Sequence, residues 1–162
     1  MTKNKSTEDI NFDINFTSEY YKKPPHAKIF VNEVCKFSDF ITNDKQKICF
    51  TEKLNFNENY TLKIIRSNAD NKKHVIDGKI FEQCLHLDKV IIDNIDCEWL
   101  LYENSFAIPE YPVDFIEHQA KLGLPHITKG YSKTFTFNTE WYFNFTSPFY
   151  IFIMKCMGGG IY

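Results

Sequence analysis

Asp88, Asp93, Asn94, Asp96 and Glu98 crowd side-chain oxygens into one short stretch of this chain. Hard oxygen donors of this kind are what calcium takes, about six to eight at a time. Asp88, Asp93 and Asp96 are therefore the candidate metal ligands, and calcium is the one cofactor they suggest. Their spacing is not that of an EF-hand loop. A second reading stays open: Asp93-Asn94 makes a tight turn, while Asp88, Asp96 and Glu98 face water.

Flat apolar rings can stack on the C–H face of a sugar. Trp99, Tyr102, Tyr111 and Tyr131 flank a proline-containing segment and are the ligand-binding candidates. Packing in the interior is the commoner fate of a tryptophan, and Trp141 is assigned there. The histidines His26, His74, His86, His118 and His126 lack HxH or HExxH spacing, so they read as ordinary surface or hydrogen-bonded residues. Cys84 and His86 share one side of a strand, yet nothing polar beside them would activate a thiolate. There is no GxGxxG, P-loop or GxSxG motif. No convergent acid and base can be assembled, so the expectation is a protein without enzymatic activity.

The elements that must carry these residues are strands. Ile10, Phe12, Ile14 and Phe16 alternate with polar residues, as do Tyr60, Leu62 and Ile64. Leu85/Leu87 passes into Val90/Ile92/Ile95 with the same period. A period of two gives each strand one buried and one wet face. Shorter strands are expected at 29–37, around an Asn32-Glu33 turn, and at 46–54. Phe135/Phe137 and Trp141/Phe143/Phe145 alternate around Asn138-Thr139-Glu140 and predict a hairpin. Between the Tyr60 and Leu85 runs lies a polar excursion with Asn68, Asp70, Asn71, Lys72, Lys73 and Gly78. Residues 102–130 contain Pro109, Pro112 and Pro125 and no sustained period, which predicts a long loop with a helical turn or two in 114–122. Ser147-Pro148 predicts the start of a short terminal helix, with Phe149, Phe152, Ile153 and Cys156 on its apolar face. The expected fold class is all-β, a single antiparallel β-sandwich with one long loop and a short C-terminal helix. Residues 1–9 read as a flexible arm, 10–157 as the sandwich and 158–162 as a flexible tail.

Composition bounds the partners. The chain has 162 residues with 16 Phe and 9 Tyr, enough for one domain rich in flat side chains suited to a pleated surface. A net charge of −2 gives no broad attraction to nucleic acid or to an anionic membrane. No apolar run is long enough to span a bilayer, and MTKNKSTED is no signal peptide. Five scattered cysteines without a CxxC pair read as reduced, small core residues of a protein assembled in a cytosol.

Residues 29–97 resemble the small β-sandwich of calcium-dependent, xylan-binding-type carbohydrate-binding modules. The shared features are Val31-Asn32-Glu33-Val34, Asn59-Tyr60-Thr61-Leu62-Lys63-Ile64 and Asp88-Lys89-Val90-Ile91-Ile92-Asp93-Asn94-Ile95. The order of elements over residues 10–156, closing on Glu140-Trp141-Tyr142-Phe143-Asn144-Phe145-Thr146-Ser147-Pro148-Phe149-Tyr150, is similar to virion proteins of tailed bacteriophages, particularly marine contractile-tailed ones. That resemblance implies a structural protein of the virion, made in the host cytoplasm, whose partners are other virion proteins in a symmetric assembly. Expected contact elements are the N-terminus, the 102–130 loop and the Ile161-Tyr162 tail. The first resemblance implies the alternative, a module that attaches to host-surface glycans.

Overall fold

The computed structural model describes residues 6–70, 72–125 and 129–158. Strands dominate, and they form two antiparallel sheets that face each other across one core.

The first sheet is built on β1 (Thr7–Glu19), whose inner residues Ile10, Phe12, Ile14 and Phe16 are fully buried. On one side it pairs with β4 (Lys45–Asn55), on the other with β8 (Cys84–Ile92). β9 (Ile95–Asp96) and β11 (Thr134–Phe135) extend β8. The second sheet runs in the order β10 (Ser105–Pro109), β12 (Thr139–Thr146), β5 (Asn59–Ser67), β2 (His26–Val31), β3 (Val34–Phe40). Leu62, Ile64, Trp141, Phe143 and Phe145 face inward from it, and Phe12 meets Phe145 across the gap with ring centroids 6.2 Å apart. Trp141 lies in the core as its pattern predicts. The two exposed edges, β3 and β4, are joined by a Lys36–Glu52 ion pair at 2.7 Å, and the ladder slips at Lys36, which leaves that edge a poor template for further strands.

The turns follow backbone chemistry. Asp93 and Asn94 both adopt positive φ (49° and 64°), the type I′ geometry that fits the twist of a two-residue hairpin. The polar excursion also carries structure: β6 (His74–Ile76) and β7 (Lys79–Phe81) form a small hairpin about Asp77-Gly78, again with positive φ at both positions. β8 contains a bulge. Asn15 pairs with Lys89 but Phe16 pairs with Leu87, so Asp88 is the extra residue and the buried parity shifts from Leu85/Leu87 to Val90/Ile92.

Several expectations need correction. Residues 102–130 are not one long loop: α1 (Glu98–Asn104) leads directly into edge strand β10, and α2 (Val113–Lys121) follows. Irregular periodicity misled because β10 is short, ends at Pro109 and has little opposite face to declare itself. Phe135 and Trp141 do not share a hairpin. β11 pairs with β8 in the first sheet and β12 with β5 in the second, so the chain crosses between layers at 136–138. Alternation on both sides of a polar link is the same for either outcome. Residues 7–9, assigned to a flexible arm, belong to β1. The terminal helix α3 (Phe149–Gly158) forms after a cis Ser147–Pro148 peptide, and its first turn is capped from β1, since Glu8 Oε2 accepts from Phe149 N at 2.8 Å and from the Ser147 hydroxyl. The tail pair Ile161 and Tyr162 lies outside the described residues.

Candidate functional site

The gap between the edge strands β10 and β11 is spanned by backbone bonds between Ala107 and Gly130, 2.7 and 3.1 Å long. Beside this bridge opens a cleft of about 230 Å³, whose lining includes Tyr111, Tyr131 and Phe137 with the hydroxyl-bearing Ser132, Thr134 and Thr136. β10 holds one wall by its ladder to β12, and the segment leading into β11 holds the other. Two of the four aromatic candidates, Tyr111 and Tyr131, are therefore brought together. Tyr102 packs behind Tyr131, with centroids 5.4 Å apart, and Trp99 is half-exposed on α1 away from the lining. Burial pushes the Tyr131 phenol up, and the Glu98 carboxylate adds to the shift. Tyr111 stacks on Phe115 of α2 at 5.0 Å and meets Phe137 edge-on at 5.3 Å. Those rings fasten a helix that buries none of its own residues.

Lys129 was not singled out by type or spacing, and Phe137 only as one member of an alternating strand pattern. Lys129 lines the cleft while its ammonium sits 3.9 Å from the Phe106 ring centre. That contact begins a cross-strand stack on the outer face of the second sheet, in which Phe106 packs on Tyr142 at 5.0 Å and Lys63 lies between Tyr142 and Phe30. Register alone sets this order, since Phe106, Tyr142, Lys63 and Phe30 are consecutive partners across four strands.

The carboxylates are not gathered into a metal centre. Asp88, at the bulge, accepts from the Thr17 hydroxyl. Asp93 Oδ1 accepts from Asn11 N at 2.9 Å, and Asp96 Oδ1 from Glu98 N at 3.1 Å. Glu98 pairs with Lys133. Among the described residues no three His, Cys, Asp or Glu side chains converge on a point that could hold a metal. The calcium expectation for Asp88, Asp93 and Asp96 gains no support from this arrangement. Each of these carboxylates takes a different hydrogen-bond donor.

Burial pushes the Cys84 thiol up and the Cys97 thiol up to about 12. A protonated, buried thiol is a poor nucleophile. His74 contacts Asp70 at 3.1 Å, His86 lies 3.2 Å from the Thr134 hydroxyl, and His26 packs edge-on against Phe40. His118 is exposed on α2, and His126 lies outside the described residues. No helix among the described residues is long and apolar enough to cross a membrane. Comparison with known proteins finds no matching family model, no matching curated protein and no matching solved structure.

Proposed function

We propose that the protein is a non-enzymatic structural and interaction protein of a bacteriophage virion, an accessory of capsid, neck or tail that binds neighbouring virion subunits. One observation carries the docking part of this reading. α2 is amphipathic yet buries no residue, and the surface it heads exposes Val113, Leu122 and Leu124 at 69%, 58% and 50%. Large apolar side chains left exposed at both ends of α2 are surface on which another macromolecule can dock. The virion setting rests on the resemblance of residues 10–156 to tailed-phage virion proteins. The test replaces Val113, Leu122 and Leu124 together by Ser and counts copies per purified particle by mass spectrometry. These side chains are exposed, so the chain keeps its fold and is expected to lose its place in the particle. Unaltered copy number would remove the docking face, and absence of the native chain from particles would remove the virion setting.

The pairing of Tyr111 with Tyr131 on one cleft favours a second reading, attachment to a glycan. Because Asp88, Asp93 and Asp96 are engaged separately, such binding is expected to survive chelation of calcium. A glycan array, run with and without chelator on the native chain and on Tyr131→Ala, checks it. An array with no hits disposes of the cleft as a sugar site.

A further inference from the structure

The β6–β7 hairpin follows the end of β5 and α2 follows the end of β10. Arg66, Thr139 and Pro109 are consecutive partners across β5, β12 and β10, so both elements leave the sandwich at one end. Their roots meet at Asn138, whose Oδ1 accepts from Ala69 N at 2.9 Å and whose carbonyl accepts from Glu110 N at 2.7 Å. Arg66, fully buried on β5, braces this junction through neutral acceptors. Its Nη1 donates to the same Asn138 side-chain oxygen at 3.5 Å, and its Nη2 to the Gln83 side-chain carbonyl, which also accepts from Asp70 N. One face of the hairpin turns inward, where His74 and Phe81 meet the Tyr21 ring at 5.3 and 5.7 Å. Val75 and Ile80 are direct cross-strand partners on the other face, and they are 65% and 64% exposed. A two-stranded ribbon is marginal in water by itself, so this apolar pair gains from a cover.

The two elements are also complementary in charge. Lys72, Lys73 and Lys79 outnumber Asp77 and Glu82 on the hairpin and its flanks, and Glu82 is paired with Lys73 at 3.4 Å. Glu110, Asp114 and Glu117 outnumber Lys121 on α2 and its approach. Val75, Ile80, Val113, Leu122 and Leu124 all stay exposed within one chain, so the hairpin does not cover its own α2. We propose that the partner is a second copy of this chain. The two copies meet end to end about a two-fold axis, each seating Val75 and Ile80 against Val113, Leu122 and Leu124 of the other. Unlike elements close into a dimer in this way only when both lie on one surface, which their common root provides. The contact is then made twice, apolar against apolar and basic rim against acidic rim. This inference rests on the reading of α2 as a docking surface and names what docks there.

Charge reversal tests the pairing. Lys72→Glu/Lys79→Glu alters the hairpin rim and Glu110→Lys/Glu117→Lys the α2 rim, and all four side chains are exposed. In sedimentation the native chain is expected to reach twice its monomer mass as concentration rises. Each reversed chain is expected to need at least about tenfold more protein to do so. Val75→Ser/Ile80→Ser, which touches no ion pair, is expected to be monomeric as well. Mixed in equal amounts, the two reversed chains are expected to pair as a heterodimer in native mass spectrometry, because one contact is then native and the other fully reversed. Thermal transitions matching the native one show that each variant folds. A native chain that stays monomeric at its solubility limit, reversed chains that dimerise as the native one does, or a mixture that fails to pair would overturn the two-fold contact. If such a monomer still loses its place in particles when Val113, Leu122 and Leu124 become Ser, α2 docks on a different virion protein and only this inference falls.

Discussion

Arg66 and Tyr142 show how surroundings set what a polar side chain contributes. The guanidinium is the one charged group fully enclosed among the described residues, and the two oxygens it bonds each keep a backbone N–H without it. Replacing a buried, uncompensated charge by an apolar side chain of similar length is often neutral or favourable. Arg66→Met is therefore expected to leave stability unchanged or to raise it by about 1 kcal/mol in urea denaturation. A larger loss would mean that its neutral bonds outweigh desolvation. Tyr142 instead resists ionisation: burial, aided by the Glu140 hydrogen bond and charge, pushes its phenol up to about 12. A free tyrosine ionises near about 10. The unfolded chain thus gives up this proton first, so the contribution is complete below about pH 10 and is lost as pH rises from there through the folded value. Glu140→Gln removes the charge, and the most alkaline phenolate step in an absorbance titration is expected to move down.

At the scale of elements, the sandwich is stapled by its termini. Glu8 reaches from the start of β1 to the first turn of α3, where it accepts the Phe149 N–H and the Ser147 hydroxyl. A carboxylate at a helix N-terminus satisfies an otherwise unpaired donor and opposes the helix dipole. Glu8→Ala is expected to cost about 1–2 kcal/mol, and Glu8→Gln less, because an amide oxygen still accepts. Chemical denaturation of the three proteins checks the order; equal stability of all three would show that α3 is held by its apolar face alone. That face packs Phe149 and Phe152 against Phe145 and Phe143 of β12. Ser147 was legible as a helix boundary from its place before Pro148, but its partner lies 139 residues away, and no local pattern reports such a contact.

For the whole molecule, one core serves both sheets, so neither layer is expected to melt alone. Phe12, buried between Phe50 and Phe145, touches both layers. Phe12→Ala is expected to cost about 3–5 kcal/mol. Trp141 fluorescence and far-ultraviolet dichroism should then report one coincident transition; separated transitions would mean the layers fold independently. α2 stands outside this core, fastened by Tyr111, Phe115 and Phe137. Its exposed apolar residues therefore contribute little to the fold.

By itself the sequence determined the long strands, which face of each is apolar, the turns at Asn32-Glu33 and Asp93-Asn94 and that Trp141 is interior, because a period of two is a local property of consecutive side chains. The short strands β6, β7 and β10 escaped it. The bulge at Asp88 passes for unbroken alternation and the β6–β7 hairpin for a polar excursion, although the step from Leu85/Leu87 to Val90/Ile92 and the Asp77-Gly78 pair mark them once the ladders are known. Tertiary structure alone decided that β11 and β12 join different sheets, that Asp88, Asp93 and Asp96 take different donors, that Tyr111 and Tyr131 share a cleft and that Arg66 is sealed from water. Alternation states which side of a strand seeks the interior but not which strand lies beside it. Partnerships across the chain are set by ladder register and layer packing, and these exist only once the two sheets have closed.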